Sequence, residues 1–320
     1  MYIQMFNGWY FFWLTLLTGI TVGLYYLLRN KTPGVQKTVL FSLLFIGLIM
    51  HFTKVYYPPY SVDEARKLRD SWFVNICGAN ISLFPFLYLI KSKRAKDYMF
   101  YVGVLSGLIA LFYPQEPMAK VDQSAEQMDI IRFYYHHWML LAVPLLMVLL
   151  KQHKLSYKRV FVAPTGIAIL MLYIILNQIF QSELGFIPLR DTDAFFDINY
   201  KNSSYIWGPG TNDAIGNFLA MFTPGIFKTV PIGEYAGQIK YWPWFWLLVP
   251  IYILVPVLSF LLAMIFDHKS FSNDMRNLPA KIKGLPLRLR RIPARIKAFY
   301  TEKADCESDT DEIQQIEEKV

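Results

Sequence analysis

The sequence predicts an all-α polytopic membrane protein: a transmembrane bundle of seven spans, amino terminus outside and carboxyl terminus in the cytoplasm. Three observations predict it. The 320 residues are 54% hydrophobic and 17% aromatic but only 18% charged, and the apolar residues come in blocks near the roughly 20 residues a helix needs to cross a bilayer. The stretches between blocks alternate between basic and mixed or acidic. The alternating ten-residue segments of a membrane β-barrel are missing, which leaves helices as the structures able to satisfy their own backbone groups in lipid.

Taken in order, the spans fall at 8–28, 38–57, 72–90, 98–114, 132–150, 160–180 and 243–266. The first block reads as a span rather than a signal peptide. Its leader MYIQMFN has no positive charge, and LLRNK follows without a small-residue cleavage site. The stretches RNKTPGVQK, KSKRAKD and KQHKLSYKR are short and basic, whereas those around YSVDEARKLRDS and QEPMAKVDQSAEQMD are mixed or acidic. The positive-inside rule puts the three basic stretches in the cytoplasm. Seven spans then carry the tail to the same side, where KIKGLPLRLRRIPARIK agrees with it.

The sixth connection, 181–242, is far longer than an ordinary loop. Within it Ile215, Phe218, Leu219 and Phe222 recur at helical spacing, which predicts an interfacial or re-entrant helix on the outer side. WPWFW opens the last span with aromatics suited to the headgroup level. The tail, 268–320, is basic and then acidic, and its end is poor in large apolar residues, a composition that predicts partial disorder.

A net charge of +8 raises nucleic acid as a partner. The positive residues, however, lie between apolar blocks and in the tail, so membrane lipids are the expected partner and nucleic acid is not. Nothing in the sequence names a protein partner, and a multi-pass place in the cell membrane follows from the spans. Cys77 lies in a span and Cys306 in the tail, which suits neither a structural disulfide nor a zinc site. No metal and no cofactor is called for.

Polar side chains inside a bilayer are costly and mark functional sites by default. With the predicted topology His51, Asn75, Cys77, Asn80, Arg132, His136, His137, Asn177 and Gln178 all fall in the outer half, from four different spans. Cys77 and Asn80 are three apart on one helix face, and Arg132 and His136 four apart on another. His136 and His137 are about 100° apart around their axis. Each also has a plainer reading. A membrane Cys is ordinarily a small packer, an Arg near a helix end snorkels, and Asn residues join helices. Their shared depth is the argument for a site.

A thiolate with a neighbouring imidazole is a nucleophile. At this depth the available electrophile is a lipid ester, and Asn75, Asn80, Arg132, His51 or Asn177 could bind substrate or steady an oxyanion. Acyl transfer and hydrolysis both fit. So do a transporter or lipid-binding protein with a polar outer cavity, and a scaffold of an envelope complex.

The stretches WFVNICGANISLFPFLYLIKSK and FYYHHWMLLAVPLLMVLLK, with WPWF at the last span, resemble the YwaF-type bacterial integral membrane proteins. Their eukaryotic relative is transmembrane protein 164. The resemblance covers about residues 40–180. It implies a phospholipid acyltransferase, with Cys77 as nucleophile and His137 as its partner, because Pro144 stands seven residues after His137. Helix-face geometry slightly favours His136, which shares a side with Arg132 and is the second choice after His137. VNIC departs from the usual Leu-His-Leu-Cys, placing Asn75 where a His is common.

Overall fold

The structure, a computed structural model, describes residues 2–63, 67, 72–73, 75–119, 124–184, 205–210 and 214–279. The tail beyond 279, where the basic and acidic stretches lie, and most of the first half of the sixth connection fall outside the described residues. The described residues are helical with no named strand, and Thr229 and Ile239 form one isolated antiparallel bridge.

Four of the long helices begin where side chains cap them. Asn7 opens α1 (Gly8–Leu28) by accepting from Tyr10 N–H. Thr32 does the same for α2 (Pro33–Thr53), with Pro33 in the first turn. Asn75 opens α3 (Ile76–Leu89) and Ser92 opens α4 (Lys93–Phe112). Such caps satisfy N–H groups that have no partner within the helix. α1 starts where its span is predicted, and the other three helices start four or five residues from their apolar blocks. α2 starts five residues before its predicted span, α3 four residues after its own, and the first turn of α4 takes in part of KSKRAKD.

After a short α5 (Gln115–Ala119) come α6 (Met128–Leu149), α7 (Val162–Glu183), a short α8 (Ala214–Ala220) and α9 (Phe245–Arg276). α8 carries Ile215, Phe218 and Leu219 of the predicted interfacial helix and stops two residues before the predicted pattern ends at Phe222. α9 runs ten residues past its predicted span, with non-helical dihedrals at Asp267 (φ −126°, ψ 20°). The chain divides there into two units, Met1–Phe266 and Asp267–Val320.

α6 is the hub of the first unit. It packs on α1, α2, α3 and α4, and fifteen of its residues are buried. That position explains its composition. A helix sheathed by other helices can carry Asp129, Arg132, His136 and His137 facing protein instead of lipid. α4 comes closest to it through the sequence GVLSG. A Cβ at Gly103 would overlap the Leu140 carbonyl, and one at Gly107 would stand 2.7 Å from the His137 carbonyl. This is the small-residue spacing that lets membrane helices approach backbone to backbone. Gly47 of α2 works likewise, its missing side chain making room for the Met139 thioether.

The outer surfaces of the peripheral helices are apolar and uncovered. Phe11, Leu16, Ile20 and Leu27 on α1, Ile46 and Ile49 on α2, Ile169 and Leu176 on α7, and Val257 and Leu261 on α9 are all exposed. A soluble monomer rarely shows so much contiguous apolar surface. Five helical stretches among the described residues are long and apolar enough to cross a bilayer, and Ile76–Leu89 is a shorter apolar helix. The protein is a multi-pass membrane protein.

Candidate active site at the start of α3

The polar residues singled out from the sequence separate into three groups. The first gathers where α2 ends, α3 begins and α6 passes. Asn75 Oδ1 accepts the Gly78 N–H at 2.7 Å, which fixes the first turn of α3. Cys77 is therefore the second residue of a helix, half-buried against the main core. A first turn is the positive end of the helix dipole and accommodates an anion.

His51 lies in the last turn of α2, buried to 2% exposure. Its ring is 6.4 Å from that of His136 and 5.8 Å from that of Phe73. The position a Cβ would take on Gly78 lies 3.7 Å from His51 Cε1. His51 thus stands between the turn that holds Cys77 and the imidazole of α6.

The two histidines of α6 are held differently. His136 Nε2 lies 3.0 Å from the Gly47 carbonyl. A carbonyl can only accept, so Nε2 carries the proton and Nδ1 keeps the lone pair. The glycine that lets α2 approach α6 thereby also sets the tautomer of His136. His137 bonds through Nδ1 to the Phe133 carbonyl at 2.8 Å, one turn back on its own helix, so its lone pair is on Nε2. Its ring packs on Phe133 at 4.2 Å, and its backbone carbonyl is the one against Gly107.

Asn80 lies one turn below Cys77 and is fully buried. Its Oδ1 accepts from Tyr98 OH at 2.9 Å, and its Nδ2 has no hydrogen-bond partner among the described residues. The Tyr98 ring fills the space left by Gly166 of α7.

The second group is an ion pair rather than an open cation. Arg132 donates through Nη2 and Nε to Asp129 Oδ1 at 2.6 and 3.2 Å, and through Nη2 to Tyr60 OH at 2.9 Å. Asp129 is 1% exposed and Arg132 8%. Such a pair costs much to break, because the survivor would be an uncompensated buried charge.

The third group lies on α7, whose buried cluster reaches Ala79, Ile76 and Phe73 at the start of α3. Asn177 Oδ1 accepts from Gln181 at 2.7 Å, and Gln178 Oε1 accepts from the Trp207 indole at 3.0 Å. Trp207 belongs to a second core cluster with Ile174, Ile175 and Trp246. Trp244 and Trp246, at the opening of α9, also turn inward, while Phe245 between them is exposed. The Trp246 indole donates to the Tyr205 carbonyl and that of Trp244 to the Ala168 carbonyl, both at 2.8 Å. They fasten residues 205 and 206 and α7 to the start of α9.

Sequence reasoning missed Tyr98, Tyr60 and Asp129 as partners of its candidates. Asp129 had a readable signal, an acid three residues before Arg132. Neither tyrosine had one in a chain with 21 of them. It also missed a polar layer among the basic stretches. Asp97, fully buried, accepts from His153 Nε2 at 2.8 Å and from Arg159 Nε. Nearby Gln152 accepts from Tyr88 OH at 2.7 Å and Gln36 donates to the Leu28 carbonyl at 3.0 Å. This layer holds no thiol and clamps the connections α1–α2, α3–α4 and α6–α7.

No group of three metal-ligating side chains occurs among the described residues. The sequence model of the TMEM164 family matches residues 4–266. No curated protein and no solved structure matches the chain.

Proposed function

The chain belongs to the TMEM164 family, and from that premise we propose that it transfers or hydrolyses fatty acyl groups of membrane lipids through a thioester on Cys77. The observation that carries the reading is the setting of Cys77. It occupies the first turn of α3, and His51, in contact range of that turn, stands 6.4 Å from the ring of His136.

In the first half-reaction an imidazole takes the Cys77 proton and the sulfur attacks the ester carbonyl of a lipid. The carbonyl carbon bonds to sulfur, the C–O bond to the glycerol oxygen breaks, and the imidazolium returns the proton to that oxygen. In the second, the same base takes a proton from water or an acceptor hydroxyl, whose oxygen displaces the thiolate. His51, which stands between the Cys77 turn and α6, relays the proton to His136, whose lone pair on Nδ1 makes it this base; His137, favoured by the pattern ending at Pro144, is the second reading. Asn80 Nδ2, a buried donor on the Cys77 face of α3, suits the oxyanion. Arg132 acts from further back, holding the start of α6 through Asp129.

The depth is consistent with an ester. At about 1.5 Å per residue the 14 residues of α3 span about 21 Å, less than the roughly 30 Å hydrocarbon core. A helix that begins late leaves its thiol below the outer headgroups. The reading includes seven spans, an outside amino terminus and residence in the cell membrane.

Lipid product formation by the purified chain in mixed micelles tests it. Cys77→Ala abolishes turnover, since the covalent intermediate cannot form. Loss of the true base slows it about 10²–10⁴-fold, so His136→Ala falls further than His137→Ala. Unchanged turnover in Cys77→Ala rejects the thioester on Cys77, and absence of turnover in wild type rejects the enzyme and leaves a lipid-binding cavity as the reading.

A further inference from the structure

A groove of about 820 Å³ opens beside the first turn of α1, and the thiol chemistry makes no use of it. Tyr2, Trp9, Phe12 and Trp13 line it, together with Ile131 and Glu126, the residue two positions before α6. The groove is held in shape. Ile3 is buried to 1%, Asn7 Nδ2 donates to the Tyr2 carbonyl at 2.8 Å, and Trp13 stacks on Tyr134 with centroids 4.8 Å apart. Trp9 and Phe12 meet edge to face at 5.4 Å.

Its chemistry is one-sided. Among the described residues the lining has four aromatic side chains and a single carboxylate, with no Lys, Arg or His. Ring faces attract cations, most of all ammonium groups shed of water, and Glu126 adds a full negative charge. The first turn of α1, at Gly8 and Trp9, faces the same groove and suits the phosphate of a lipid headgroup, while Glu126 disfavours a headgroup whose net charge is negative. The volume lies within the range of small-molecule clefts, roughly 300–1,000 Å³. The groove also begins where an apolar 21-residue helix begins, the level at which Trp and Tyr meet lipid headgroups.

We infer that this groove binds a phospholipid whose headgroup carries an ammonium, such as phosphatidylethanolamine or phosphatidylcholine. The amine lies against Glu126 and the rings of Tyr2 and Trp9, and the upper acyl chain runs over Phe12 and Ile131. This site is separate from Cys77 and stands whether or not the thiol acts.

Native mass spectrometry of the full chain in detergent tests it, with phosphatidylcholine and phosphatidylglycerol of identical acyl chains supplied in equal amounts. Wild type retains phosphatidylcholine in preference. Glu126→Gln, an exposed change that leaves the fold alone, reduces that preference about three- to tenfold, and Trp9→Leu does the same if it folds. Equal retention of the two lipids by wild type, or an unaltered preference in Glu126→Gln, overturns the proposal. Displacement of the lipid by an equimolar amount of water-soluble phosphocholine overturns it too, by assigning the groove to a free headgroup. Because no turnover is measured, failure of the acyl-transfer reading leaves the result unaffected.

Discussion

Asn75 holds the Gly78 N–H at 2.7 Å, and that bond decides where α3 begins and where Cys77 stands. The residues of the site were readable as types. Cys77, His51 and His136 are scarce polar groups in apolar stretches, and their convergence follows from placing spans side by side. Partners were not readable, because a hydrogen bond between distant helices leaves no mark on either segment; Tyr98 with Asn80 is the example. The cap carries a prediction. Asn75→Ala removes a side chain of a kind typically worth about 0.5–2 kcal/mol to a helix start. The variant melts a few degrees lower in detergent and its Cys77 reacts differently with a small alkylating agent, while Asn75→Ser restores both. If Asn75→Ala matches wild type on both measures, the first turn of α3 is fixed by something else.

For the helices, hydropathy located the apolar blocks and caps located the ends. Thr32, Asn75 and Ser92 each precede a helix that starts away from its apolar block, and each is a residue type that marks a start. Asp97 shows the consequence of reading KSKRAKD as a basic connection: it lies in the second turn of α4 and is buried on His153 and Arg159. GVLSG was equally present in the sequence and is the spacing that sets α4 against α6. Gly103→Leu therefore forces the two helices apart, a change of the overpacking kind that costs about 1–3 kcal/mol, and it lowers the melting temperature. Gly23→Ala on α1 meets nothing within 4 Å and leaves it within a degree or two. Comparable melting of the two variants contradicts the close α4–α6 contact.

At the scale of the whole molecule, exposed apolar side chains on the peripheral helices and polar side chains buried on α6 are the pattern of a membrane bundle. Composition foretold the class, since blocks of this length have few other solutions. It did not foretell that α6 is central or that α7 and α9 share a separate cluster through Trp246; such neighbour relations depend on side-chain fit across helices. The seven-span orientation remains a prediction, and labelling checks it. In a background without Cys77 and Cys306, single cysteines at Ser92 and Ser156 resist an impermeant maleimide applied to intact cells, and one at Ser124 reacts. The reverse pattern inverts the bundle and removes Cys77 from the outer leaflet.

The central claim is a covalent one, and intact-mass analysis tests it most directly. After incubation with phospholipid vesicles and rapid acid quench, a fraction of the full-length protein gains the mass of one fatty acyl group. That mass maps to the peptide containing Cys77 and is released by neutral hydroxylamine, as a thioester is. Cys77→Ser, which keeps the shape with a far weaker nucleophile, shows no hydroxylamine-labile adduct. Wild-type protein that never gains an acyl mass, or gains it equally in Cys77→Ser, contradicts the account.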